Sequence, residues 1–139
     1  MTTAPNSSPE LAAVLREIAE IEATPGFEGP KIITSDLLAC QRCNADATGH
    51  CFEDGLVGSI GRACDARGWR FRLTGRYWPG KDALMCTIAG FDPVADERAI
   101  IRWGSSRALA AARAYRDAIK KTTHTSHNYS MERFQWTVN

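Results

Sequence analysis

Residues 68–91 read GWRFRLTGRYWPGKDALMCTIAGF, two alternating runs on either side of a Pro-Gly turn. Trp69, Phe71 and Leu73 fall on one side of the first run, and Leu84, Cys86 and Ile88 on one side of the second. Side chains of an extended chain alternate between faces, so each run presents one apolar face to a core. Arg70, Arg72 and Thr74 occupy the other side of the first run, the pattern of a sheet solvated on one face. The turn Pro79-Gly80-Lys81-Asp82 makes the pair a hairpin, with strands expected over Trp69–Tyr77 and Ala83–Phe91.

Downstream, Asp92–Asp96 is a loop, and a third extended segment over Arg98–Trp103 completes a meander. Ser105 or Ser106 then caps an alanine-rich helix running to Lys121, with Leu109, Ala112, Tyr115 and Ile119 as its buried stripe. Lys120 and Lys121 stand at its C-terminal end, where the helix dipole favours positive charge. Residues 122–130 are polar and read as a flexible connector. Phe134, Trp136 and Val138 alternate with Arg133, Gln135 and Thr137, so 132–138 is expected to be a fourth strand or to join a homo-oligomer by strand pairing.

Upstream, residues 1–7 are expected to be disordered. Ser7 or Ser8, followed by Pro9 and Glu10, opens a helix, and Leu11, Val14, Leu15 and Ile18 recur at helical spacing. Pro25-Gly26 ends it. Ser35 is expected to cap a short helix from Asp36 to Cys43, and 44–49 is loop by composition. Another helix is expected over Glu53–Arg67, closed by Gly68 at the position where a left-handed residue is favoured. The 139 residues thus form a single α+β domain, with a three- or four-stranded, mainly antiparallel sheet and helices packed on one face.

A formal net charge of +1 supplies no global attraction toward nucleic acid or membrane. No apolar run approaches the ~18 residues of a membrane span, and no secretion signal opens the chain, so a cytoplasmic protein is expected. The five cysteines then read as thiols or metal ligands rather than a disulfide framework.

Cys40-x-x-Cys43 followed by His50-Cys51 is the one candidate metal set, since a CxxC turn can place two thiolates on one zinc. Its two halves are closer together than in most zinc sites, so incidental packing of these residues is preferred. No cofactor is accordingly expected, with zinc as the alternative. Gly58-Ser59-Ile60-Gly61 has the spacing of the GxxG loop of KH RNA-binding domains. No basic residue lies between the glycines, however, and close packing of a small-residue helix against another is preferred. Arg70, Arg72 and Arg76, with Tyr77 and Trp78 at the strand end, form the candidate partner-binding surface, with Arg67, Lys81 and Arg102 expected nearby. Arginine and aromatic residues are enriched at protein-interface hot spots, whereas phosphate contact with ring stacking is the nucleic-acid alternative. His124 and His127 are read as solvated. No nucleophile elbow, phosphate-binding glycine loop or paired catalytic carboxylates occur, so no enzymatic activity is expected.

The order helix–Gly68-Trp69–hairpin–Trp103-Gly104–alanine-rich helix over 68–121 resembles small phage- and prophage-encoded α–β sandwich domains, the phage ABA sandwich type. The resemblance implies an accessory protein of a mobile element, acting by binding, with inhibitors of host defence complexes among its kind. The expected function is accordingly non-enzymatic binding to a protein partner. A nucleic-acid-binding module and a zinc-stabilised structural domain are the alternatives.

Overall fold

The computed structural model describes residues 9–38, 50–75, 81–90 and 99–138, except for the side chains of 50–51 and 123–138. Helix α1 (Pro9–Glu22) buries Leu11, Val14, Leu15 and Ile18, the stripe that the helical spacing requires. A short helix α2 follows, described over 35–38. Its cap is Thr34 rather than Ser35: the Thr34 hydroxyl accepts the Leu37 N–H at 3.2 Å. Both residues carry a hydroxyl that can cap, and burial of Leu37 selects the earlier one.

Helix α3 (His50–Ala66) begins a few residues before the expected start and buries Phe52, Leu56, Val57, Ile60, Ala63 and Cys64. It ends as the sequence predicts. Gly68 has φ +76, its N–H donates to Asp65 O at 3.0 Å, and the Trp69 N–H donates to Cys64 O at 2.8 Å. These two bonds satisfy carbonyls that the helix end would otherwise leave open, and they turn the chain directly into the sheet.

Strands β1 (Arg70–Gly75), β2 (Leu84–Ala89) and β3 (Ile100–Gly104) form a three-stranded antiparallel sheet in the order β1-β2-β3. Phe71 pairs with Ile88 and Leu73 with Cys86, while Ile88 pairs with Ile100 and Leu84 with Gly104. One face is therefore continuous from β1 to β3. The helices lie on that face: Phe71 stands beside Gly61 of α3, and Gly104 lies beneath the backbone of Leu109 and Ala110 in the last helix.

That helix, α4 (Arg107–Val138), starts at Ser106, whose hydroxyl accepts the Leu109 N–H at 3.1 Å. Leu109, Ala112, Tyr115 and Ile119 are buried as expected, joined by Ala108, Ala110, Ala111, Ala114 and Ala118. Such a broad alanine surface lets α4 touch β2 and β3 below it and α1 and α3 beside it. The sequence expectation of a connector over 122–130 and a strand over 132–138 is corrected here, because α4 is helical to Val138. No glycine or proline occurs after Gly104, and once the alanine-rich turns have nucleated a helix each further residue adds a bond at little cost. The Thr122 hydroxyl donates to the carbonyls of Ala118 and Ile119, a bond made inside a continuing helix. With the backbone engaged in helix, no strand exists at 132–138 to join two copies. Among the described residues no helix is long and apolar enough to cross a membrane.

Candidate protein-binding face

The sheet face turned away from the helices is formed in rows. Arg72 lies across from Thr87, and Thr87 across from Ile101; Thr74 lies across from Met85, and Met85 across from Trp103. Arg70 pairs with Ala89 in the row before. Arg70 and Arg72 are exposed, and Ile101 and Trp103 are 44% and 49% exposed. No carboxylate occurs in these rows, so the face combines positive charge with apolar surface.

Of the expected contact residues, Arg70 and Arg72 take this face, while Arg76, Tyr77 and Trp78 lie outside the described residues. The expectation that Arg67 and Arg102 would join them is corrected by the fold. Arg102 stands on the helix side, with Nε bonded to Asp117 of α4. Arg67 is drawn under the first loop, its guanidinium 4.9 Å from the Trp69 ring centroid and 5.1 Å from that of Phe27. Lys81 is exposed beyond the strand end. Ile101 and Trp103 were missed as surface groups because an apolar run of Ile-Ile-Arg-Trp does not reveal which alternate residues face the core. The only local signal is the parity of Gly104, which must lie under α4.

The helix side has a different electrostatic character. Asp117 accepts from Arg102 and, at 2.8 Å, from Arg116 Nε. Arg116 also reaches Glu17 at 3.5 Å, and Arg113 reaches Glu10 and Asp82 at 3.9 and 3.8 Å while donating to Trp103 O at 2.8 Å. Burial works to raise the Asp117 carboxyl, but the hydrogen bonds and charge of Arg116 and Arg102 prevail and hold it below the ordinary value. These pairs tie α4 to β3 and α1, so the arginines on this side serve the fold.

Inside, Glu22 is 4% exposed and accepts the N–H groups of Ile32 and Ile33 at 2.7 and 3.2 Å. Burial raises its carboxyl above the ordinary value, opposed by those two donors and by the cations Lys31 and Arg67. Arg67 Nε and Nη2 and the Tyr115 hydroxyl are buried without a hydrogen bond to any described group. Burial pushes the Tyr115 phenol up to about 12, with Arg67 pulling the other way. Cys64 and Cys86 are fully buried thiols, each pushed up to about 12 by burial. Such thiols are poor nucleophiles, because the thiolate is the reactive form.

The remaining motifs resolve as follows. Gly58 and Gly61 lie within continuous α3, so their backbone N–H groups are engaged in the helix and do not form a KH-type loop. Nor does close packing of this helix on another account for them. A Cβ at Gly61 would meet the Phe71 ring at an ordinary 3.8 Å, and at Gly58 only the mobile end of Arg62 at 3.2 Å. An open groove of about 420 Å³ passes over them, lined also by Arg62, Asp65, Trp69 and Phe71. Cys40 and Cys43 lie outside the described residues, as do the side chains of His50 and Cys51 at the start of α3. Among the described residues no three His, Cys, Asp or Glu side chains cluster as metal ligands. Comparison with known proteins finds no family model, no curated protein and no solved structure that matches the chain.

Proposed function

We propose that this chain is a non-enzymatic interaction protein that binds another protein through the helix-free face of its sheet. The observation that carries this reading is the exposure of Trp103 and Ile101 on the same sheet face as Arg70 and Arg72, a face that no described helix covers. A half-exposed tryptophan sharing a face with arginines has the composition of an interface hot spot, and large exposed apolar groups on one face mark interaction sites. Among the described residues, the titratable groups with shifted proton affinity lie in the core or in the helix-side ion pairs, away from this face, which favours contact over catalysis. The resemblance of 68–121 to phage-encoded sandwich domains adds a host complex, such as a defence complex, as the proposed target.

The nucleic-acid reading has the same Trp103 as a stacking ring and Arg72 as a phosphate contact. The net charge of +1 weighs against it, because strand binding draws most of its affinity from phosphate neutralisation. The test compares retention of proteins from the source cells by the wild type, by R72E/W103A and by R107E. Arg107 is an exposed arginine on the helix side, 3.8 Å from Asp54. A partner held by the wild type and R107E but lost from R72E/W103A is the expected result. Equal retention by all three removes the face from the proposal.

A further inference from the structure

The two margins of the sheet differ, and the difference does not depend on the face proposed above. In an antiparallel sheet the backbone groups of successive residues point alternately to one side of the strand and the other. On β3 the outward carbonyls are occupied: Ile101 O accepts from Arg102 Nη1 at 2.7 Å, and Trp103 O accepts from Arg113 Nη1 at 2.8 Å. Charged side chains on an outer row of this kind keep a further strand off that margin. Carried through the register, the same alternation turns Thr87 and Met85 toward Arg72 and Thr74, and turns the backbone groups of Phe71 and Leu73 outward from β1. The Trp69 N–H, next in that series, also points away from β2 and donates to Cys64 O. Among the described residues, no hydrogen bond reaches the outward groups of Phe71 and Leu73.

The side chains follow the same asymmetry. Ile88 and Cys86 on β2 are fully buried and Ile100 on β3 is buried, whereas Phe71 and Leu73 across from the first two are only partly so. The apolar layer is thus incomplete at β1, where the groove of about 420 Å³ over Gly58 and Gly61 runs beside Phe71. We infer that the β1 margin receives an extended segment of another protein as a fourth strand. Its backbone bonds to the outward groups of Phe71 and Leu73. Its residues across from those two are apolar and complete the layer, the one across from Phe71 entering the groove. The residue between them lies across from Arg72, on the opposite face. Arg72 is exposed and makes no ion pair among the described residues, so a carboxylate is complementary there. The pattern recognised is apolar–acidic–apolar. A second copy of β1 fits less well, because Arg70, Arg72 and Thr74 on that side include no carboxylate.

Hydrogen exchange on the free protein is the first test. The Phe71 and Leu73 amides should exchange about tenfold or more faster than those of Arg72 and Thr74, which bond to β2. Equal protection of the four would mean that the margin is already covered, and would overturn the inference. Random displayed peptides are then selected on the wild type, with counter-selection on L73P and G61L. L73P removes an outward N–H and no bond to β2, while G61L fills the groove and leaves the strand backbone intact. Enrichment of apolar–acidic–apolar peptides is the expected outcome. A synthetic consensus peptide should bind about tenfold more weakly to each of these variants and about fivefold more weakly to R72E. Lysine in place of its acidic residue should restore binding to R72E. W103A should bind the peptide as the wild type does, which separates this margin from the face proposed above. Amide spectra report whether each variant keeps the fold. Failure to enrich any peptide sensitive to L73P or G61L removes the inference. A concentration-dependent dimer abolished by L73P assigns the margin to a second copy instead.

Discussion

Replacing Gly104 by alanine should destabilise the protein, whereas the same replacement at Gly61 should stabilise it. A Cβ on Gly104 would lie 2.5 Å from Ala110 N, 3.0 Å from Ala110 Cα and 3.0 Å from Leu109 C. All three are backbone atoms of α4, so no side chain can swing away. Restoring an ordinary contact of at least 3.4 Å moves α4 off β3 by about 1 Å. A gap of that size forfeits roughly half of the dispersion attraction of each contact it opens. Overpacking of this kind costs about 1–3 kcal/mol, offset by about 0.4–1 kcal/mol because alanine restricts the unfolded chain more than glycine does. The net expectation is a loss of roughly 1–2 kcal/mol, or about 3–7 °C in melting temperature for a chain of this length. At Gly61 the nearest atom to an added Cβ is 3.8 Å away, so only the helix propensity changes, a gain of about 1 kcal/mol. Urea and thermal unfolding of the two variants measure both. A neutral or stabilising G104A would refute the placement of α4 directly over β3.

Three further outcomes follow from the charged and thiol groups. Glu22 has a folded-state carboxyl raised by burial, so the stability it contributes is fully present below its unfolded value and is lost as pH rises through the folded one. R67M removes a cation that lowers this carboxyl and should raise it further; the deficit of R67M relative to wild type should be larger at pH 7.5 than at pH 4.5, by on the order of 1 kcal/mol in urea titrations, and a pH-independent difference would break the link between Arg67 and Glu22. Asp117 has the opposite sign: its depressed carboxyl contributes stability above the unfolded value that is lost on acidification. D117N should therefore cost on the order of 1 kcal/mol at pH 7, with the gap closing below about pH 4, in unfolding curves collected across that range. Cys64 and Cys86 should resist alkylation in the native protein and react after unfolding, as read by peptide mass mapping; rapid native labelling of either would contradict its burial.

Local chemistry made much of this fold legible in the amino-acid order. The period-two runs about Pro79-Gly80 specified a hairpin, Gly68 specified the end of α3, and the Leu109, Ala112, Tyr115, Ile119 stripe specified the buried side of α4. Each depends on residues within a few positions of one another, where backbone sterics and side-chain spacing act directly. The alternation of Phe134, Trp136 and Val138 misled because three residues of period two are weak beside a helix already propagating from α4. Arg70 and Arg72 were legible as a solvated side of β1, but Arg67 and Arg102 were misassigned to it. Their placement depends on Phe27, Trp69 and Asp117, partners that proximity in the chain does not reveal.

By itself, then, the amino-acid order determined the α+β class, the hairpin, most helix limits and one polar side of β1, because periodicity, caps and left-handed glycines are local constraints. Tertiary structure decided the character of the whole sheet face that carries that polar side. The pairing of Met85 with Trp103 and Thr87 with Ile101 puts apolar groups on the same face as Arg72, and the placement of α3 and α4 on the other side leaves them exposed. Strand register and the side on which helices land are set by how distant segments bury their apolar surface together. Those two choices turn a row of alternating arginines into a mixed basic and aromatic surface.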